Sequence, residues 1–148
     1  MVKSIQYFNE NSVPVFEKLE DEFLKDPSDI ASYVTKLTEE LHKTGIRMIE
    51  ETLGYLDQML NESEVRKMTW IVDRHEPKQL ITSLGSVNYS KTMFRDKEEG
   101  SRSYLLDLIM GMEPHITFEE HLGEARRKKI KYQLLQPISE DLDLAIDN

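Results

Sequence analysis

The chain has 148 residues, 39% of them hydrophobic and 32% charged, with a net charge of −9 and no cysteine. That size suits one domain, or a small domain with an appended arm, and is too short for two full cores. The lack of cysteine rules out disulfides, a thiol nucleophile and a cysteine zinc site, and no apolar run is long enough to span a membrane. The start Met1-Val2-Lys3-Ser4-Ile5-Gln6 has neither the apolar core nor the cleavage site of a signal peptide, so a soluble cytoplasmic protein without a membrane partner is expected.

From Ser4 to Lys25 the residues Ile5, Phe8, Val15, Phe16, Leu19, Phe23 and Leu24 recur largely at helical spacing. Pro14 interrupts them, which predicts a short helix or arm before it and a firmer helix from Pro14 to Lys25. Asp26-Pro27-Ser28-Asp29 is a helix start, with Asp26 as the expected cap and Pro27 in the first helical position. Ile30, Val34, Leu37, Leu41, Met48, Leu53, Leu56 and Leu60 then carry a helix to Asn61, a reach of about 50 Å. Gly45 and Gly54 each weaken it by roughly 1 kcal/mol relative to Ala, which leaves room for a kink near either. A helix of that length needs a cover along most of its face, either the sheet or a second copy of the chain.

Past Glu64 the texture becomes that of strands. Met68-Thr69-Trp70-Ile71-Val72 is aromatic and β-branched, Glu76-Pro77 is expected to turn, and Leu80 to Leu84 follows. In the next segment Val87, Tyr89, Lys91 and Met93 alternate with Asn88, Ser90, Thr92 and Phe94. Asp96 to Gly100 is a turn and Ser103 to Leu106 a further strand. Thr117-Phe118-Glu119-Glu120 has the capping-box pattern of a last helix, expected to end at Gln136 before Pro137. The expected class is α+β: an amino-terminal helical pair with one long helix, a small antiparallel meander of three or four strands, and a closing basic helix. The segments are residues 1–65, an acidic helical arm and long helix; 66–116, the meander; and 117–148, the basic helix with an acidic tail.

Charge follows the same divisions. Residues 1–65 hold 6 Lys or Arg against 14 Asp or Glu, whereas residues 66–102 hold 8 against 5, so the middle is basic in an acidic chain. Lys91, Arg95, Lys97 and Arg102 fall on the second strand, its turn and the next strand, where cross-strand pairing would gather them within reach of phosphates. Arg126, Arg127, Lys128 and Lys129 form a second basic run, which surrounds most of a helix rather than lining one stripe. Trp70, Tyr89, Phe94 and Tyr104 suit either stacking on bases or filling a small core.

The string Lys78-Gln79-Leu80-Ile81-Thr82-Ser83-Leu84-Gly85-Ser86-Val87-Asn88-Tyr89-Ser90-Lys91-Thr92 resembles a stretch of the ISLre-type insertion-sequence transposases. Leu24-Lys25-Asp26-Pro27, Glu50-Glu51-Thr52-Leu53 with Leu56-Asp57, and Tyr104-Leu105-Leu106-Asp107 with Gly111-Met112-Glu113-Pro114-His115 are similar to further family segments in the same order. The resemblance covers about residues 1 to 120 and implies a DDE transposase, in which carboxylates of a ribonuclease H-like domain hold two metal ions for phosphoryl transfer. Family members continue much further, and the catalytic domain lies in that continuation. The chain is therefore expected to be the amino-terminal, non-catalytic region, as a truncated or frameshifted gene would produce.

No carboxylate is placed by a motif for catalysis, and Glu50-Glu51 inside a helix point in different directions. His42, His75, His115 and His121 are scattered, so no metal site is expected; no phosphate-binding glycine motif occurs, so no cofactor is expected either. Two functions follow. One is binding of transposon DNA ends, through Lys91, Arg95, Lys97, Arg102 and Arg126 to Lys129, together with homo-oligomeric assembly. The alternative is a helical interaction module that dimerises through the helix from Asp29 to Leu60 and does not bind DNA.

Overall fold

The structure, a computed structural model, describes residues 3–112 and 128–140. Helix α1 (Lys3–Tyr7) runs through a π turn at Phe8–Ser12 into α2 (Val13–Lys25), followed by α3 (Ile30–Glu62) and α4 (Glu64–Thr69). Strands β1 (Trp70–Thr82), β2 (Gly85–Asp96) and β3 (Arg102–Tyr104) form one sheet in that order, β3 antiparallel to β2, and α5 (Leu105–Met110) follows. A last helix, α6, occupies residues 128–140. The architecture is α+β, with three strands. The chain divides into two compact units, Met1–Leu53 with Gln79–Tyr89, and Gly54–Lys78 with Ser90–Asn148.

In the first unit, Pro14 has no N–H to give the helix ladder, and the ladder widens just before it. The Val13 N–H reaches back to the Phe8 carbonyl, and Asn11 Nδ2 donates to the Tyr7 carbonyl at 3.2 Å. The cap of α3 is Asp29, whose carboxylate accepts from the Ser32 N–H at 3.0 Å. Asp26, the expected cap, instead ends α2 and accepts from the N–H and hydroxyl of Ser28, because Asp29 is the acid immediately before the first helical residue. Helix α3 passes through Gly45 and Gly54 without interruption. Gly45 is a point of close approach: a Cβ there would stand 2.6 Å from Leu84 Cδ1. Leu84 sits in the β1–β2 turn, which Thr82 ties by accepting from the Leu84 N–H and donating to the Gly85 carbonyl; Gly85 has φ +134, a conformation other residues rarely adopt. Few apolar side chains are buried in this unit, Leu53 and Val87 being the hydrophobic ones, while Leu24, Ile30, Val34, Leu41 and Met48 stay exposed.

The second unit has the larger core: Leu60, Trp70, Phe94, Leu105, Leu106, Leu108, Ile109, Leu134 and Ile138. Each such side chain contributes about 1.5–3 kcal/mol by leaving water. Met68 and Thr69, expected in a strand, form the end of α4, because Ser63 caps that helix by accepting from the Arg66 N–H at 3.2 Å. Glu76-Pro77, expected to turn, lies inside β1; β1 is an edge strand, where a residue without an N–H breaks no ladder. Leu105 and Leu106, expected in a strand, begin α5, whose consecutive residues Leu105 to Ile109 are all buried. Gly111 ends α5 in the left-handed conformation. Helix α6 continues through Pro137, the expected stop, with Leu134 and Ile138 buried one turn apart, so packing holds the last turn. The capping sequence Thr117 to Glu120 lies outside the described residues.

Candidate nucleic-acid interface

The end of α3 sets the position of the sheet. Arg66 is buried, donates Nε to the Leu60 carbonyl at 3.2 Å, Nη1 to the Trp70 carbonyl at 3.0 Å and Nη2 to the Asn61 carbonyl, and lies over the Phe94 ring. Burial lowers its pKa, yet the guanidinium satisfies carbonyls that the helix end leaves open. Asp57 extends from α3 to β2, where Oδ1 accepts from the Thr92 N–H at 3.1 Å and Oδ2 from the Thr92 hydroxyl at 2.9 Å. Asn61 Nδ2 donates to the same Thr92 oxygen, and His75 Nδ1 lies 2.9 Å from it. A threonine hydroxyl has one proton, which goes to the carboxylate, so His75 donates from Nδ1.

Beyond that anchor, Arg95 lies directly opposite Arg102 in the β2–β3 ladder. Both are exposed, although like charges at opposed positions repel. The hairpin closes next to them: the Asp96 N–H bonds the Ser101 carbonyl at 2.8 Å, and the Asp96 carboxylate accepts from the Glu98 and Glu99 N–H groups. Among the described residues no hydrogen bond or ion pair engages the Arg95 side chain. Arg102 Nε lies 3.3 Å from Asp73 Oδ2, as does Arg74 Nη1. Glu76 gathers the hydroxyl of Tyr104, the Arg74 guanidinium and Lys78. The Tyr104 hydroxyl, then Arg74 and Lys78, hold its carboxyl down to about 2. Glu76 in turn raises the pKa of Arg74 and Lys78; that of Tyr104 is raised by burial and by Glu76.

The eight basic residues expected from the sequence to meet phosphates are thus in different situations. Arg95, Arg102 and Lys97 share the exposed end of the hairpin, with Lys97 Nζ donating to the Lys67 carbonyl. Lys91, by contrast, is 8% exposed, its ammonium 2.5 Å from Asp107 and 3.8 Å from the centre of the Tyr104 ring. It stands on the strand opposite α5, whose first turn supplies the buried carboxylate that a buried ammonium requires. Lys128 and Lys129 lie exposed on α6, Lys129 bordering a cavity of about 350 Å³ with Trp70, Asp96 and Leu134. Arg126 and Arg127 lie outside the described residues. Trp70 and Phe94 are core residues, and the ring of Tyr104 faces Lys91 and Lys78. Sequence reasoning counted Arg74 and Lys78 only as charge and missed Asp73 and Glu76 as their partners; the dense charge of Asp73-Arg74-His75-Glu76 was the available signal.

The two metal ions of a DDE centre do not fit the described residues. No three of their His, Asp or Glu side chains converge, and the buried carboxylates Asp57, Asp96 and Asp107 already hold protein donors. Among the described residues no helix is long and apolar enough to cross a membrane.

An α+β chain that ends its small sheet in an exposed arginine pair is the class these features define. The chain belongs to the uncharacterised protein family UPF0236, whose pattern matches residues 24–131. Three family proteins of Caldanaerobacter subterraneus subsp. tengcongensis are each 32% identical to it over 113 residues. The alignment takes in 76% of this chain and 23%, 24% and 23% of theirs, so the chain spans about a quarter of the length of these relatives. No solved structure matches.

Proposed function

We propose that this chain is a non-catalytic portion of an ISLre-type transposase and that it binds the phosphate backbone of transposon DNA ends. The observation that carries the reading is the cross-strand pair Arg95 and Arg102, exposed at one end of the sheet with Lys97 beside it. Two opposed guanidinium groups repel in the free protein, and an anion between them removes that repulsion. Phosphate contacts of this kind fix position without reading sequence. Binding of a labelled duplex at low salt tests it: Arg95→Gln with Arg102→Gln should weaken binding and flatten the dependence of log Kd on log salt by roughly two phosphate contacts. No affinity of the wild-type chain at low salt would refute the reading.

A second role, assembly between copies, is supported by α3. Val34, Leu41 and Met48 are exposed at seven-residue spacing, the repeat of a helix seam, and Tyr55 comes next in that register. Sedimentation at high concentration tests it, with a dimer expected and its loss on Leu41→Glu.

A further inference from the structure

We infer that Asp73 is a built-in competitor for the DNA phosphate at the arginine pair, holding Arg102 in a carboxylate contact that a phosphodiester must displace. The inference rests on the DNA-binding reading above and adds a regulation of the same site. Asp73 Oδ2 stands 3.3 Å from both Arg102 Nε and Arg74 Nη1, and the side chains of those arginines are 57% and 50% exposed. The Nε edge of an arginine fork can grip two oxygens of a phosphate, and on Arg102 one carboxylate oxygen stands at ion-pair distance from it. Across the ladder, Arg95 has no such anion among the described residues. The site therefore holds one ready arginine and one occupied arginine.

Glu76 shows the contrast. It is held by three partners, Tyr104, Arg74 and Lys78, and so belongs to the framework of the sheet. Among the described residues Asp73 has two contacts, each of 3.3 Å and to a half-exposed guanidinium group, which a ligand of greater charge can take over. Arg74 is shared between Asp73 and Glu76, so it stays neutralised when Asp73 is released. Asp96, Glu98 and Glu99 are acids of the adjoining turn among the described residues, and the backbone N–H groups of Glu98 and Glu99 are fixed on the Asp96 carboxylate.

Fluorescence anisotropy of the full chain with a labelled duplex, at low salt, tests the inference. Asp73→Asn should tighten binding about three- to fivefold, and Asp73→Ser should do the same if the amide disturbs the strand. Asp21→Asn on α2 makes the same change in net charge and should alter Kd less than about twofold. In an Arg102→Gln background the gain from Asp73→Asn should vanish, since the two residues then have nothing to exchange. A wild type that binds weakly beside an Asp73→Asn variant that binds tightly supports the competition. A gain no larger than that of Asp21→Asn, or one that persists without Arg102, overturns the inference while leaving the DNA reading intact. Failure of every variant to bind overturns both.

Discussion

Lys91 distinguishes a surface phosphate contact from a buried structural ion pair, and the two give opposite results on Lys91→Met. Its side chain is 11% exposed and that of Asp107 6%, with the ammonium 2.5 Å from Oδ2. Among the described residues Asp107 Oδ1 already has no hydrogen-bond partner. Removing the ammonium would leave a buried carboxylate without any counter-charge, a change that costs about 3–5 kcal/mol. Loss of the cation–π contact with Tyr104 adds about 1 kcal/mol. For a chain of this length the combined loss lowers Tm by roughly 8–20 °C. Urea unfolding followed by the fluorescence of Trp70, the single tryptophan and a core residue of the same unit, would read it directly. The double variant Lys91→Met with Asp107→Leu should recover most of the loss, because no buried charge then remains. A stability within about 0.5 kcal/mol of wild type for Lys91→Met, coupled to a weaker and flatter salt dependence of duplex binding, would refute the buried pair.

Three further outcomes follow from the same geometry. Glu76 has its pKa lowered from 4.5 to about 2, so it binds fewer protons folded than unfolded; its contribution is present above pH 4.5 and is lost as the pH falls towards 2. Unfolding measured across that window should show a slope that Glu76→Gln diminishes, and an unchanged slope would count against the Tyr104–Arg74–Lys78 cradle. Nitrogen NMR of the neutral His75 ring should find the proton on Nδ1, whereas a proton on Nε2 would contradict the Asp57–Thr92–His75 chain. Gly54→Ala, where an added Cβ meets nothing within 4 Å, should stabilise α3 by up to about 1 kcal/mol, while Gly85→Ala, at φ +134, should destabilise by about 1–2 kcal/mol. Equal effects in chemical denaturation would show that the turn does not need its glycine.

Much of the fold was legible from short-range pattern. The apolar spacing from Ile30 to Leu60 located α3, and Asp26 and Pro27 placed its start a few residues before the Asp29 cap. The alternation from Val87 to Phe94 located β2. The errors arose where a local rule met a non-local circumstance. Pro77 breaks a strand only when its missing N–H is needed, and the edge position of β1 makes it unnecessary. Leu105 and Leu106 satisfy strand and helix patterns equally until burial on every side of α5 chooses the helix.

The candidate interface divides in the same way. Net basicity of residues 66–102 and the closeness of Arg95 to Arg102 were written in the chain, because a short hairpin brings neighbours in sequence together. Whether a given lysine meets solvent or a carboxylate is another kind of fact. Lys91 finds Asp107 sixteen positions away and Thr92 finds Asp57 thirty-five away. Helical and strand periods arise from geometry repeated within a few residues, so a linear reading recovers them. The partner of a charge depends on which distant segments share a low-dielectric interior, and that is known only once the chain has packed.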